Sequence, residues 1–178
     1  PLLKEGVLLQ PRQLRLDDFG ITCASESPEG TSVGLVRNLC WNTHITTGLS
    51  SDLVIKVIPK LLPLSKNIHG NSLVLVNGIT VGFCEDAEKY IQKLYKLREY
   101  KVLPVDCSIV MLDNEIYINS CSGRYARPLF NLKKIHLLTK KTTWEEALQK
   151  NIIEIVDKDE EFSRCYIALK PSEINPSH

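Results

Sequence analysis

No run of apolar residues in this chain approaches the ~18 that a membrane-spanning helix needs, so no such span is expected. No charged stretch followed by an apolar core stands at its start, so no secretion signal is expected. The six cysteines, Cys23, Cys40, Cys84, Cys107, Cys121 and Cys165, form no C-x-x-C pair. That leaves out a zinc ribbon or a dithiol redox motif, and the cysteines read as reduced, partly buried thiols. His44, His69, His136 and His178 stand in no metal-ligand spacing. There is no G-x-S-x-G elbow, no Walker G-K-[ST] and no local Ser-His-Asp signature. Glu145–Glu146 are adjacent, and adjacent residues of a helix point apart, so they read as a capped helix start and not an acid/base pair. A complete active site within the chain is therefore not expected. A large net charge is also absent. The formal value is +1 over 178 residues, so no global field advertises nucleic-acid binding.

What is present is an ordinary globular composition, 43% hydrophobic and 24% charged. The length suits one medium domain or two to three small modules. Charge is unevenly placed. Lys89 to Lys141 holds eleven Lys+Arg against four Asp+Glu, whereas Trp144 to Glu161 holds seven acids against two lysines. Such asymmetry suggests modules facing different neighbours. The chain opens on Pro1 and is read as an internal fragment of a longer protein.

The fold class expected is α+β in several modules. Residues up to about Leu49 are rich in turn formers (Pro11, Gly20, Pro28, Gly30, Gly34, Gly48) and read as loop with short elements. Ile55–Pro63 is apolar but interrupted by Pro59 and Pro63, so it reads as a connector and not a long helix. Near His69 a compact unit begins. Ser72–Val76 and Ile79–Phe83 are β-branched runs joined by Asn77–Gly78, the signature of a type I′ hairpin. Glu85–Tyr100 is amphipathic, with acids at its start and bases at its end, as a helix dipole favours. A second hairpin follows, Ser108–Leu112 and Glu115–Asn119 about Asp113–Asn114. Thr143-Trp-Glu-Glu146 is a capping box for a helix over Trp144–Lys150, which Asn151 stops. Ile152–Val156 and Cys165–Leu169 read as a strand pair across the acidic turn Asp157–Glu161.

The loop Ser25–Gly34 gathers Pro28, Gly30 and Gly34 around Glu26 and Glu29, with hydroxyls at Ser25, Ser27, Thr31 and Ser32. Its glycines permit close approach to another chain or to a phosphate. By composition alone it also reads as an ordinary glycine turn.

The longer segment ESPEGTSVGLVRNL, Glu26–Leu39, closely resembles the E-T-P-E-G-x-x-x-G-L-[VI]-x-[NS]-L signature of the second-largest (beta-like) subunits of multisubunit DNA-directed RNA polymerases. Pro11-Arg-Gln-Leu14, Phe19-Gly20 and Cys23 resemble that family's lead-in. Val76-Asn77-Gly78 with Gly82, the stretch Gly123-Arg124-Tyr-Ala-Arg127-Pro128-Leu129-Phe130, and Thr143-Trp144 through Ala168-Leu169-Lys170-Pro171 resemble later blocks. All run in family order, closer to the eukaryotic and archaeal branch than to the bacterial one.

The resemblance implies a division into the end of the fork region (1–49), a connector (50–68), a first external domain (69–136, ββαββ) and a second (137–178). It implies that Arg12, Glu29, Thr31 and Ser32 lie near the active centre or the nucleic acid, with no catalytic or metal-holding residue in this fragment. Mg²⁺ would be held by the largest subunit, and Zn²⁺ by a part of the second subunit beyond His178. Partners would be the largest and other polymerase subunits, the DNA template and the RNA–DNA hybrid, with no membrane. The parent enzyme would be a nucleotidyltransferase and this fragment alone inactive. The location would be intracellular: the nucleus if cellular and eukaryotic, a cytoplasmic virus factory or virion if viral. Some positions depart from the pattern. Ser27 stands for the usual Thr, Ala24 for a Pro, and Thr31-Ser-Val33 differs from the common residues. Leu16-Asp17-Asp18 replaces a His/Thr-rich stretch and makes the lead-in acidic. These differences point to a diverged member, such as one encoded by a large DNA virus.

Two other readings stand beside this one. In the first, the chain is a stand-alone module that binds RNA or an acidic partner through the basic helix Lys89–Lys101 and through Arg124 and Arg127. The plainer alternative is that these two arginines pair with acids inside the fold. In the second, the chain is a phosphate-binding enzyme built on Ser25–Gly34.

Overall fold

Turn chemistry and helix caps set most element boundaries. The computed structural model describes residues 8–15, 18–67 and 71–164. In chain order the elements are β1 (His44–Ile45), α1 (Ser51–Leu61), β2 (Ser72–Val76), β3 (Ile79–Cys84), α2 (Ala87–Glu99), β4 (Ser108–Leu112), β5 (Glu115–Asn119), β6 (Tyr125–Phe130), α3 (Trp144–Gln149), β7 (Ile153–Asp157) and α4 (Lys158–Arg164). The class is α+β, as expected, with two small sheets.

The larger sheet has order β3-β2-β5-β4. Asn77 (φ 48°) and Gly78 (φ 81°) close β2–β3, and Asp113 (φ 46°) and Asn114 (φ 67°) close β4–β5. Both turns need two left-handed residues, which Asn, Asp and Gly supply at least strain. The hairpins join through parallel pairing of β2 with β5. Ile116 and Ile118 alternate with more exposed neighbours along β5 and are fully buried. Tyr90 and Leu94 of α2 complete that core. Asp86 caps α2 by accepting from the Lys89 amide at 3.0 Å.

The expected connector over Ile55–Pro63 is corrected: Ser51–Leu61 is helical, with Pro59 in its last turn. A proline inside a helix costs ~3 kcal/mol. Val54, Ile58 and Leu62 recur at a spacing of four and are all buried in the core of the larger sheet. Each such side chain contributes about 1.5–3 kcal/mol, so burial outweighs the one lost hydrogen bond.

The second sheet, order β1-β6-β7, takes one strand from the first third of the chain and two from the last. β6 runs antiparallel to both neighbours, His44 facing Ala126 and Phe130 facing Ile153. Pro128 lies beyond the end of short β1, where only β7 flanks the strand, a position that proline tolerates. Thr143 caps α3, accepting from the Glu146 amide at 3.3 Å, and Asn151 (φ 53°) follows its end.

The acidic turn expected at Asp157–Glu161 is also corrected. β7 pairs with β6, and Lys158–Arg164 form α4. The Asp157 carboxylate accepts from the Glu160 amide at 2.9 Å, and three acids occupy the first turn, where the helix dipole favours them. Cys165–Leu169, expected as the partner strand, lies outside the described residues.

The charge asymmetry resolves inside the molecule. The basic middle and the acidic end face each other. Arg98 of α2, 6% exposed, donates to both oxygens of fully buried Glu160 at 2.7 and 2.8 Å and to the Cys107 carbonyl at 2.9 Å. Arg124 pairs with Asp157, and Arg127 pairs bidentately with Glu161 at 2.6 and 2.8 Å. The five described cysteines are free thiols, and burial pushes Cys107 up to about 12.

Removing Glu160 leaves buried Arg98 with only its longer contact to the Glu154 carboxylate, at 3.4 Å. Glu160→Ala is therefore expected to lower unfolding stability by about 3–5 kcal/mol. Replacing both partners, Arg98→Met with Glu160→Leu, should recover most of that loss. Urea unfolding of the chain measures both; an unchanged midpoint for Glu160→Ala would count against the assignment.

Candidate functional site

The segment Glu26–Leu39 is held as a closed loop. An antiparallel bridge between Thr22 and Leu39 shuts its base, with the Cys23 amide donating to the Asn38 carbonyl and the Cys40 amide to the Ile21 carbonyl, both at 2.8 Å. Across the middle, the Ser27 hydroxyl accepts from the Gly34 amide at 2.8 Å and donates to the Val36 carbonyl at 3.2 Å. This is work that either Ser or Thr can do, which explains why Ser27 is tolerated. Gly30 (φ +85°) opens a 3-10 turn over Gly30–Ser32, entered from extended Glu29.

Two arginines brace the loop against the Pro11-Arg-Gln-Leu14 segment. Arg12, at the end of a 3-10 turn over Gln10–Arg12, donates Nη1 to the carbonyls of Thr31 and Val33, each at 2.9 Å. Arg37 donates Nε to the Gly34 carbonyl at 3.1 Å and Nη2 to the Gln13 carbonyl at 2.6 Å. Its Nη1 donates to Asp18 Oδ2 at 2.7 Å. Gly34 (φ +72°) lies so close to Arg12 that an added Cβ would sit 2.3 Å from the Arg12 carbonyl oxygen.

The four residues expected at the site thus come together. Arg12 is half-buried and reaches into the loop. Ser32 is half-buried, and Glu29 and Thr31 are exposed on the outer turn. The residues missed from sequence are Arg37 and Asp18. Arg37 sits at a variable position of the signature, and Asp18 lies in the departing acidic stretch, whose residue types do not show that Asp18 is buried. Burial pushes the Asp18 carboxyl up, but hydrogen bonds and charge from Lys158, then from Arg37, outweigh it and hold it below its ordinary value.

Four amides of the loop are turned inward. The Val33, Gly34, Leu35 and Val36 amides all donate within the loop, to Gly30, Ser27, Ser32 and Ser32. No group of three or more His, Cys, Asp or Glu suited to a metal comes together among the described residues. No helix among them is long and apolar enough to cross a membrane. Arg124 and Arg127 are engaged by carboxylates, as in the plainer alternative, while Lys89, Lys93 and Lys96 of α2 are exposed.

Two family models match the chain: "RNA polymerase Rpb2, domain 3" over residues 2–45, and "RNA polymerase Rpb2, domain 4" over residues 74–133. The chain is 31% identical to the DNA-directed RNA polymerase II subunit RPB2 of Encephalitozoon cuniculi, across 90% of this chain and 16% of that protein. It is 32% identical to the DNA-directed RNA polymerase III subunit RPC2 of Schizosaccharomyces pombe, across 93% and 16%. It is 28% identical to the archaeal DNA-directed RNA polymerase subunit Rpo2 of Saccharolobus shibatae, across 95% and 18%. The chain therefore spans about a sixth of the length of the curated relatives it matches.

Gly34→Ala combines left-handed strain of ~1–3 kcal/mol with a backbone clash, whereas Gly30→Ala meets nothing within 4 Å and carries strain alone. Urea midpoints should therefore fall further for Gly34→Ala; equal shifts would refute the close approach to Arg12. Folded Asp18 titrates below its ordinary value of 3.8, so its ion pairs stabilise the fold above that value and are lost as pH falls through the folded one. Asp18→Asn should remove that share of acid destabilisation, read from unfolding midpoints between pH 6 and 3.

Proposed function

The chain belongs to the family of second-largest RNA polymerase subunits, whose domains 3 and 4 it matches, and on that footing we propose that it flanks the active centre and RNA–DNA hybrid during DNA-templated RNA synthesis. The observation that carries this reading is the braced signature loop. Arg12 and Arg37 bind its carbonyls inward, and Glu29 and Thr31 are turned outward.

Those two exposed groups have different uses. A hydroxyl such as that of Thr31 donates to a phosphate oxygen of RNA. Ser32 lies on the same turn and is less open. A carboxylate repels phosphate, so Glu29 meets a basic side chain or a protein loop. Arg12 acts indirectly, by holding the turn that carries Thr31. The loop does no bond-making: it shapes one wall of the space in which the polymerase works.

The metals of the parent enzyme lie elsewhere in this reading: Mg²⁺ on the largest subunit and Zn²⁺ in a further part of the second. Partners are the largest and other polymerase subunits, the template and the hybrid, in an intracellular setting. Exposed apolar side chains support an assembly role. Val33, Val36 and Leu39 in the loop, and Trp41 just past it, 102% exposed, stand in solvent in the chain alone.

The test is reconstitution of the polymerase around the whole subunit. Glu29→Gln and Thr31→Ala are expected to slow nucleotide addition about tenfold or less, ~1.4 kcal/mol at most, with assembly intact. The isolated chain, given template, nucleotides and Mg²⁺, is expected to make no RNA. Unchanged rates for both variants, or synthesis by the chain alone, would overturn the reading.

A further inference from the structure

We propose that Asp18 is a joint through which Lys158, from the far end of the chain, holds the signature loop in place, with Arg37 as the arm on the other side. The inference rests on the polymerase reading only for its kinetic consequence. Asp18 is 9% exposed and its backbone is fixed, its amide donating to the Arg15 carbonyl and its carbonyl accepting from the Ile21 and Thr22 amides. Its two carboxylate oxygens are divided. Oδ2 accepts from Arg37 Nη1 at 2.7 Å, and Oδ1 accepts from Lys158 Nζ. Arg37 carries the connection onward to the carbonyls of Gly34 and Gln13, one in the loop and one in the segment that Arg12 anchors.

Lys158 opens α4, directly after the Asp157 that pairs with Arg124, and two residues before the buried Glu160. Its position is therefore set by the most constrained part of the molecule. A second contact runs beside the joint. The backbone of Gly20 abuts the guanidinium of Arg127, where an added Cβ would lie 2.6 Å from Nη1, and Arg127 is held by Glu161 of the same helix. The start of α4 thus grips the lead-in to the loop at two neighbouring points.

Asp18 lies in the lead-in where the sequence departs from the family signature, and both of its partners are this chain's own residues. An acid placed there needs a cation on each side, and Arg37 and Lys158 supply them. Lys158 and Arg37 are positioning residues: neither reaches a reacting atom, and each acts through the loop backbone.

The test uses the whole subunit assembled into polymerase. Lys158→Met should speed hydrogen exchange of residues 25–36 by roughly threefold to fivefold, the scale of a partly exposed ion pair, while residues 72–84 stay protected. Nucleotide addition should slow by a similar factor, and Lys158→Arg should restore both. In an Asp18→Asn background Lys158→Met should add nothing further, because the joint is already open. Equal exchange of residues 25–36 in Lys158→Met and wild type, or full additivity of the two substitutions, overturns the joint. A wild-type assembly that makes no RNA overturns the polymerase reading instead and leaves the exchange result to judge the joint.

Discussion

The buried pair of Arg98 with Glu160 is the interaction on which the rest of the molecule depends. Desolvating two charges costs several kcal/mol per ion, and the arrangement survives only when every strong donor and acceptor is met. Here the guanidinium meets both carboxylate oxygens and the Cys107 carbonyl. That requirement fixes α4 against β4 and the end of α2. With α4 fixed, β7 pairs with β6, and β6 then receives β1 from the first third of the chain. The loop-rich segment is placed by a sheet whose own register is pinned by ion pairs.

This explains why a net charge of +1 conceals two strongly charged segments, Lys89–Lys141 and Trp144–Glu161. The three arginines among the bases in the middle meet acids near the end as internal complementarity. Arg98, Arg124 and Arg127 each find a carboxylate from β7 or α4. Read along the chain, such blocks look like surfaces for outside partners. Counting charges by segment does not show which segments meet, and that is a property of the second sheet.

The features legible in sequence were those set by neighbours along the chain. Both hairpins have the expected strands, save for one added residue at Cys84, because Asn-Gly and Asp-Asn turns specify their own geometry. The Thr143 cap was legible for the same reason, and α2 begins at Ala87, two residues after the Glu85 expected. What was not legible depended on distant burial. Pro59 argued against α1, yet Val54, Ile58 and Leu62 bury into strands that come later. The acids after Asp157 read as a turn because solvated acid runs usually are, yet Glu160 is fully buried by Arg98, sixty-two residues earlier. At the candidate site the signature was plain, and its grouping of Arg12 with Thr31 follows the motif order. The brace from Arg37 was hidden because it uses backbone carbonyls, which leave no trace in residue type.

The departures from the family pattern differ in what they cost the fold. Ser27 keeps a hydroxyl, and both of that hydroxyl's hydrogen bonds lie within the loop, so the change is neutral by construction. Asp18 is different in kind. A carboxylate at that buried position without partners would destabilise the lead-in, and one with a single partner would still leave an oxygen unmet. Arg37 lies within the signature and Lys158 within the acidic run, so each has a reason to be present apart from Asp18. Their convergence on its two oxygens makes the acid tolerable and turns a local departure into a long-range tie. A loop that performs no chemistry can still be sensitive to residues over a hundred positions away, because its shape is held by carbonyls, and those carbonyls by arginines whose own counter-charges lie across the fold.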